Sequence, residues 1–411
     1  MLNKIEKLRK GINSDEMIKS GIILFIMINL FNFLNYIFHF SMARLLGPVD
    51  YGTLAVLFSL IYLFNIPSEA VQNIVTKYTN KFVLKKEYEK IKSFLIKSLK
   101  RAVLISFLSF IAFIPVAFFL SSFLKIDFWL FIYTGILIFF IFSVPILRGL
   151  IQGRKKFFLL GTNMVFEGMI KVVLGILLVF LGFRVYGALT SVIMASLFAF
   201  FMIFLTSRDI FKAETKKYNF NGIYSYSFPY FVSIFSIVLI YSLDIVIAKR
   251  FFSPEMAGNY AVISMLGKMI FFGTFAISKA MFPLSSESYE NNRDTFFLLK
   301  KSLIIVGLIS SFVLIFYLFS PEFAIKILFG SKYTALSNIL FFLGLSFTFL
   351  SLTNLLILYG LSINKIKKSS FFLLGFVFLE VVLLSIFNSS LQEFAIAFLA
   401  VNFSMLVFSF F

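Results

Sequence analysis

Apolar runs of about twenty residues, broken by short polar connections, follow one another along the whole chain. Twenty helical residues span roughly 30 Å, the thickness of a bilayer's hydrocarbon core. The runs fall near 20–43, 52–76, 102–123, 128–150, 159–182, 186–206, 225–248, 257–283, 302–320, 334–361, 369–388 and 394–411. The pattern predicts an all-α polytopic membrane protein with about twelve transmembrane helices. The third and fourth runs are parted only by Leu124-Lys125-Ile126-Asp127, and the fifth and sixth by Gly182-Phe183-Arg184. Both pairs therefore read as tight hairpins.

The polar punctuation repeats. Arg44-Leu45-Leu46-Gly47-Pro48-Val49-Asp50-Tyr51-Gly52-Thr53-Leu54-Ala55-Val56 returns as Arg250-Phe251-Phe252-Ser253-Pro254-Glu255-Met256-Ala257-Gly258-Asn259-Tyr260-Ala261-Val262, 206 residues later. In each copy the motif closes one apolar run and opens the next. Two six-helix pseudo-repeats follow, in one orientation and related by an axis along the membrane normal. The reading divides the chain into a cytoplasmic interfacial segment (1–19), an N-terminal six-helix lobe (20–207), a cytoplasmic linker (208–221) and a C-terminal six-helix lobe (222–411). Duplicated membrane halves of this kind point to transport, since two similar bundles can rock about a site held between them.

Basic residues set the orientation. Lys77, Lys81, Lys85, Lys86, Lys90, Lys92, Lys97, Lys100 and Arg101 crowd one connection, with Arg154, Lys155 and Lys156, and Arg208, Lys212, Lys216 and Lys217, in others on the same side. The opposite side holds far fewer, so both termini are expected in the cytoplasm of a multi-pass cell-membrane protein. Lys85–Arg101 alternates basic and apolar residues at helical spacing, and is expected to lie along the inner leaflet.

Composition narrows the chemistry. The chain is 60% hydrophobic, contains no cysteine and carries one histidine, His39. Disulfides, iron–sulfur clusters and thiol catalysis are excluded, and a zinc site or a histidine triad is disfavoured. No catalytic residues, metal site or cofactor is expected. The net charge of +19 reads as attraction to anionic membrane lipids rather than to nucleic acid, because the basic residues flank apolar spans.

With the repeat in place, the chain resembles the polysaccharide biosynthesis transporters, the O-antigen and lipid-linked oligosaccharide flippases of the multidrug/oligosaccharidyl-lipid/polysaccharide exporter superfamily. The resemblance rests on Arg44–Gly52 after the first span, then in order Ser227-Phe228-Pro229, Asp244, Gly258-Asn259-Tyr260, Phe282-Pro283 and Leu328-Phe329-Gly330 with Tyr333. It implies two six-helix lobes around a central cavity open alternately to either side, and movement of a lipid-linked glycan. A cation-coupled multidrug exporter of the same superfamily is the alternative. A glycan polymerase or ligase is disfavoured, because no DxD motif or sizeable external segment is present.

Polar groups inside the spans mark the candidate site. A central charge costs about 2.5–3.5 kcal/mol on insertion scales, so such groups should face water or one another. Asn29, Asn32, Asn35, Tyr36 and His39 share one arc of the first span; Asn65, Ser68, Glu69, Gln72, Asn73 and Thr76 share one of the second. The two arcs read as a cavity wall, the alternative being hydrogen bonding between helices. Lys268 and Lys279, eleven residues apart on one face of the eighth span, are candidates for a phosphate or pyrophosphate headgroup. Arg44 and Arg250 would extend the path; otherwise they cap helices, and Lys279 snorkels. Glu167 and Lys171, spaced i, i+4, are expected to pair. Asp244, Glu380 and Asn402 are candidates for Na⁺ or H⁺ coupling, the alternative for Asp244 being a pair with Lys268. In related lipid II flippases the C-terminal lobe also holds such a cation site.

Overall fold

The computed structural model describes residues 2–212, 228–363 and 370–409. Nine helical runs among them are long and apolar enough to cross a membrane. Two of these runs each contain a break. Gly47 (φ 73°) divides the run Leu2–Leu84 into α1 (2–46) and α2 (48–84), and Gly182 (φ 90°) separates α5 (Phe157–Leu178) from α6 (Arg184–Thr206). The other spans are α3 (Tyr88–Leu124) and α4 (Phe128–Gly153), then, after the short α7 (Arg208–Lys212), α8 (Phe228–Phe251), α9 (Pro254–Glu290) and α10 (Phe296–Phe319). A short helix α11 (Pro321–Phe329) and a 3₁₀ stretch, Ser331–Ile339, lead to α12 (Leu340–Ser362), α13 (Ser370–Ile386) and α14 (Leu391–Ser409). Counting both parts of each broken run and the shorter α13, the described residues form twelve apolar helices.

The two copies of the repeated motif break their helices differently. In the first, Gly47 takes a left-handed φ that a side chain would resist. At the equivalent place in the second, Ser253 caps α9, its Oγ accepting from the Met256 amide at 3.3 Å, and Pro254 occupies the first helical turn. One break is made by backbone freedom, the other by a side-chain cap.

The described chain forms two compact units. Unit 1 comprises residues up to Leu45, Pro67–Ser121 and Asp127–Tyr224. Its core joins the C-terminal half of α2 and the N-terminal half of α3 to α4 through Val75, Phe82, Ile91, Phe94, Leu95, Ile146 and Leu150, with Ile210 of α7 packed on them. This corrects the expectation for 85–101. From Tyr88 onward the segment is the N-terminal end of a 37-residue helix, and Ile91, Phe94 and Leu95 on its apolar face are covered by protein. α4 approaches α2 closely through Gly149 and Gly153, four residues apart; a methyl on either would stand 2.7 Å from a carbonyl oxygen of α2. At the other end of the unit, Asp127 caps α4 by accepting from the Trp129 amide at 3.2 Å and also accepts from Tyr186 Oη at 2.7 Å. One carboxylate thus fastens the starts of α4 and α6.

Unit 2 comprises Leu46–Ile66, Ser122–Ile126 and Ser225–Phe411. α12 runs along α9 and also packs on α14, while α13 packs on α8 and α14. Leu299, Val306, Leu355, Leu358 and Leu406 form one apolar cluster there. The N-terminal half of α2 lies in this unit. Gly52 and Gly258, equivalent positions of the repeat, meet so closely that a methyl on Gly52 would sit 2.8 Å from Gly258 Cα, and one on Gly258 only 1.8 Å from the Pro48 carbonyl oxygen. The motif around Gly330 (φ 99°) has a packing role as well: Phe329 meets Tyr51 and Tyr333 edge-on, with all three rings buried. The most apolar stretches of α3 and α10, the third helix of each repeat, are only 17% buried against 72% for the run ending in α12. Those two helices present their large side chains outward, as lipid contact requires.

Two outcomes follow from this packing. Gly258→Leu should destabilise the detergent-solubilised protein by at least about 2 kcal/mol, since the intruding atoms meet backbone. Gly307→Ala, with open space around it, should be neutral or stabilise by up to about 1 kcal/mol; thermal melts of the two variants check both. Arg154 donates to Asp209 at 3.1 Å through one nitrogen and bridges its other oxygen, and this bonding holds the Asp209 carboxyl below the usual carboxylate range against an opposing push from partial burial. Half-exposed, the pair is worth under about 1 kcal/mol. Its contribution should be present above about pH 4 and vanish as pH falls through the depressed value, so that wild type and Asp209→Asn melt together in acid.

Candidate functional site

The most concentrated buried polarity lies in unit 2. Asp244 on α8 is 0% exposed and Lys268 on α9 is 1% exposed, and Lys268 Nζ donates to Asp244 Oδ1 at 3.3 Å. The second carboxylate oxygen accepts from Tyr260 Oη at 3.4 Å and from Ser264 Oγ. Tyr260, Ser264 and Lys268 are spaced four residues apart on α9, so one helical face delivers three donors to one carboxylate. The Phe347 ring of α12 lies 5.8 Å from the ammonium. Glu380 on α13, also 0% exposed, lies within electrostatic reach of Asp244, Lys268 and Tyr260. Neither of its oxygens accepts a hydrogen bond from a described residue, and the same holds for the side-chain oxygens of Asn402, Asn354 and Thr353. Asn402 instead donates its amide to Phe398 O of its own helix at 2.9 Å.

This geometry resolves one alternative and corrects another expectation. Asp244 pairs with Lys268. Lys268, expected to meet a phosphate headgroup from a cavity wall, is enclosed in unit 2 with its charge held by Asp244. Lys279, about three turns beyond Lys268 on α9, is exposed, its ammonium 4.7 Å from the Phe275 ring centre. Arg44 is exposed, and so is Arg250, which lies 4.9 Å over the Phe123 ring within unit 2.

Unit 1 carries a second polar group. Arg148 on α4 donates to Asn163 Oδ1 at 3.0 Å and bridges Glu167, while Lys171 donates to Asn35 Oδ1. The expected Glu167–Lys171 pair is thus tied to other helices at both ends, while Glu167 still acts electrostatically on Lys171. A planar guanidinium reaches both Asn163 and Glu167, one turn apart on α5, which an ammonium on the same helix cannot. Among the expected wall residues, Asn29, Asn32, Asn65, Glu69 and Asn73 are exposed although they lie within spans. Gln72 is not an open wall residue: its amide donates to Gln152 Oε1 at 2.8 Å, joining α2 to α4. His39 is buried, 4% exposed, with the Phe38 ring edge-on at 5.7 Å. Ser227 of the resemblance and residues 213–221 of the expected linker lie outside the described residues.

Sequence reasoning missed Arg148 and Gln152 as partners inside unit 1. Arg148 stands within the apolar run 128–150, where a charge demands a partner. The Gly149–Gly153 spacing, legible as small-xxx-small, was the other available sign.

Chemically, an enclosed ammonium bonded to one carboxylate and acted on electrostatically by a second leaves one negative charge in surplus. Among the described residues no group of three or more His, Cys, Asp or Glu side chains could hold a metal ion. Asp244→Ala should destabilise the protein by about 3–5 kcal/mol, because Lys268 is left charged and enclosed. The double variant Asp244→Leu/Lys268→Met should recover most of that loss, and thermal melts of the two side by side check the pair.

Comparison with known proteins agrees with this architecture. Residues 41–338 match the model of a family described as "Polysaccharide biosynthesis protein". No curated protein sequence matches the chain significantly. Among solved structures, an inward-facing multidrug resistance MATE family transporter of the MOP superfamily superposes with a TM-score of 0.77 at 15% identity, covering 92% of each chain. A eukaryotic MATE transporter gives 0.68 at 14% identity, covering 95% of this chain and 93% of its own. A MOP superfamily transporter from Pyrococcus furiosus, described as having a binding pocket of reverse polarity, gives 0.65 at 15% identity over 96% and 93%. At such identities the likeness establishes a shared fold.

Proposed function

Because the chain belongs to the polysaccharide biosynthesis protein family, we propose that it is a flippase, exporting a lipid-linked oligosaccharide or polysaccharide precursor across the cell membrane by alternating access. The observation that carries this reading is the enclosed group Asp244, Lys268 and Glu380 in unit 2. Three ionisable side chains inside a bundle of apolar spans are expensive for a passive scaffold, and are the usual signature of an ion-driven one. The multi-pass fold and its transporter neighbours support the same reading.

The division of labour follows from solvation. The sugars of such a precursor need water, its isoprenoid tail needs lipid, and its phosphate needs a counter-charge. Exposed Asn29, Asn32, Asn65, Glu69 and Asn73 offer hydrogen bonds to a hydrated glycan. Lys279, Arg44 and Arg250 offer the counter-charge, with Lys279 preferred because it is exposed and lies in the span that also carries Lys268. A ligand drives the exchange of access only through different affinities for the two states. Shifting a two-state balance from 1:99 to 99:1 takes about 5.5 kcal/mol, and we assign part of this to Na⁺ or H⁺ coupling at Asp244, Glu380 and Asn402. No covalent step is involved, and both termini are placed in the cytoplasm on the distribution of Lys and Arg.

The second reading is a cation-coupled multidrug exporter, favoured by the multidrug transporters among the structural neighbours. The excess of basic residues over acidic ones in the chain (38 against 19) disfavours cationic drugs as cargo.

Reconstituted protein should move a fluorescent polyprenyl-pyrophosphate oligosaccharide across proteoliposome membranes faster than protein-free vesicles do. Lys279→Ala should slow this by about tenfold or more at low substrate, about 1.4 kcal/mol, and Lys279→Arg should restore it. Translocation no faster than in empty vesicles, together with drug resistance conferred on an exporter-deleted host, would replace this reading with the second.

A further inference from the structure

Resting on the flippase reading, we propose that unit 2 carries a stacking platform for sugar. The rings of Tyr62, Phe272 and Phe275 take the first sugars of the glycan, and Lys279 at their end takes the phosphate that joins those sugars to the lipid.

The rings are continuous. Tyr62, in the part of α2 that belongs to unit 2, lies 5.9 Å from the Tyr241 ring of α8 and 6.2 Å from Phe272 of α9. Tyr241 lies 5.5 Å from Phe272 and 5.4 Å from Phe271, whose own ring is 5.8 Å from Phe275. The series ends at Lys279, its ammonium 4.7 Å from the Phe275 ring centre. Depth sorts the rings into two ranks. Tyr241 and Phe271 are 7% and 2% exposed and form the backing. Tyr62, Phe272 and Phe275 are half-buried in front of them, and Asn65, one turn from Tyr62 on α2, is exposed.

The exposed side of α9 is made for water rather than for lipid. From Ala257 to Pro283 it exposes no large apolar side chain, and its exposed positions are Gly273, Ala276, Lys279, Ala280 and Pro283. α10, by contrast, turns Leu308, Phe312 and Phe319 outward at 67%, 78% and 78% exposure. A helix against acyl chains covers itself with such side chains. Small residues around one ammonium make a poor lipid surface. A methyl on Gly273 would meet nothing within 4 Å. Glycine and alanine there leave the flanking rings of Phe272 and Phe275 uncovered, so a flat ligand can lie against them.

Sugars suit this surface. The C–H face of a pyranose is apolar and slightly positive, and it packs on the negative face of an aromatic ring. The hydroxyls around its edge stay hydrated or bond a neighbouring amide such as that of Asn65. Seven residues set Lys279 about 10 Å beyond Phe272 along the helix, a length of about two sugar rings. A phosphate at Lys279 therefore leaves the first sugars over Phe275 and Phe272. Stacking reads C–H faces and not the pattern of hydroxyls, so the platform accepts many hexoses. No covalent bond forms or breaks.

The test is native mass spectrometry of the purified full-length protein in detergent. It is titrated with polyprenyl pyrophosphate, either bare or carrying an N-acetylglucosamine disaccharide. Wild type should bind the disaccharide form about tenfold tighter than the bare one. Phe272→Leu and Phe275→Leu keep apolar bulk, and each should bring that ratio below about threefold. Phe275→Tyr should keep it, and Lys279→Ala should weaken both forms alike. Equal affinity for the two forms in wild type would overturn the proposal whatever becomes of the variants. A preference that survives both leucine substitutions would overturn it as well. A ring-dependent preference in a protein that moves no glycan across proteoliposome membranes leaves the platform standing and removes the flippase reading. Glycan movement at the wild-type rate by the double variant Phe272→Leu/Phe275→Leu does the reverse.

Discussion

A carboxylate and an ammonium withdrawn together from water govern what unit 2 can be. Once Asp244 and Lys268 are enclosed, every neighbouring helix is constrained by the need to satisfy them. α9 must present Tyr260, Ser264 and Lys268 on one face, and the register of α9 against α8 is fixed by three hydrogen bonds to a single side chain. Apolar packing between spans is permissive, because lipid tails are as apolar as leucine and give helices little reason to prefer one rotation over another. Buried polar groups remove that freedom. Unit 1 does the same with different residues, where Arg148 joins α4 to α5 and Gln72 and Gln152 join α2 to α4.

The two copies of the repeat show how far equivalent sequence implies equivalent structure. Gly47 and Ser253 occupy the same place and end a helix by unrelated means. Gly52 and Gly258 occupy the same place and serve the same purpose, letting two backbones approach where any side chain intrudes. The membrane enforces the second kind of likeness more strictly than the first. A helix can be stopped in several ways, but a close crossing tolerates only the absence of a side chain.

Much of the architecture was legible because hydrocarbon imposes a length. Twelve apolar runs appear in the chain, and twelve apolar helices are formed. The connection from Pro321 to Ile339 was not legible as a helix and a 3₁₀ turn, since the apolar run from 334 onward merges with the span it precedes. The inner part of α3 was misread for another reason. Periodicity reveals that a helix has an apolar face, and Ile91, Phe94 and Leu95 make one, but it does not say whether lipid or protein covers it. The enclosed group was partly visible: Asp244, Glu380 and Asn402 stood out as polar residues within apolar spans, and Lys268 was named as an alternative partner for Asp244. What the chain could not reveal is which partners a side chain gains from other helices, and so the bridge from Glu167 to Arg148 on the preceding helix went unseen beside Lys171 on its own.

Trp129 has a practical consequence. It is the sole tryptophan of the chain, 64% exposed, with its amide bonded to Asp127 and its ring edge-on to Phe128 at 5.6 Å at the start of α4. Its ultraviolet emission therefore originates at one address, at the mouth of a hairpin in unit 1, and needs no engineered label. Quenchers attached at graded depths along lipid chains would read the immersion of that address in the native molecule.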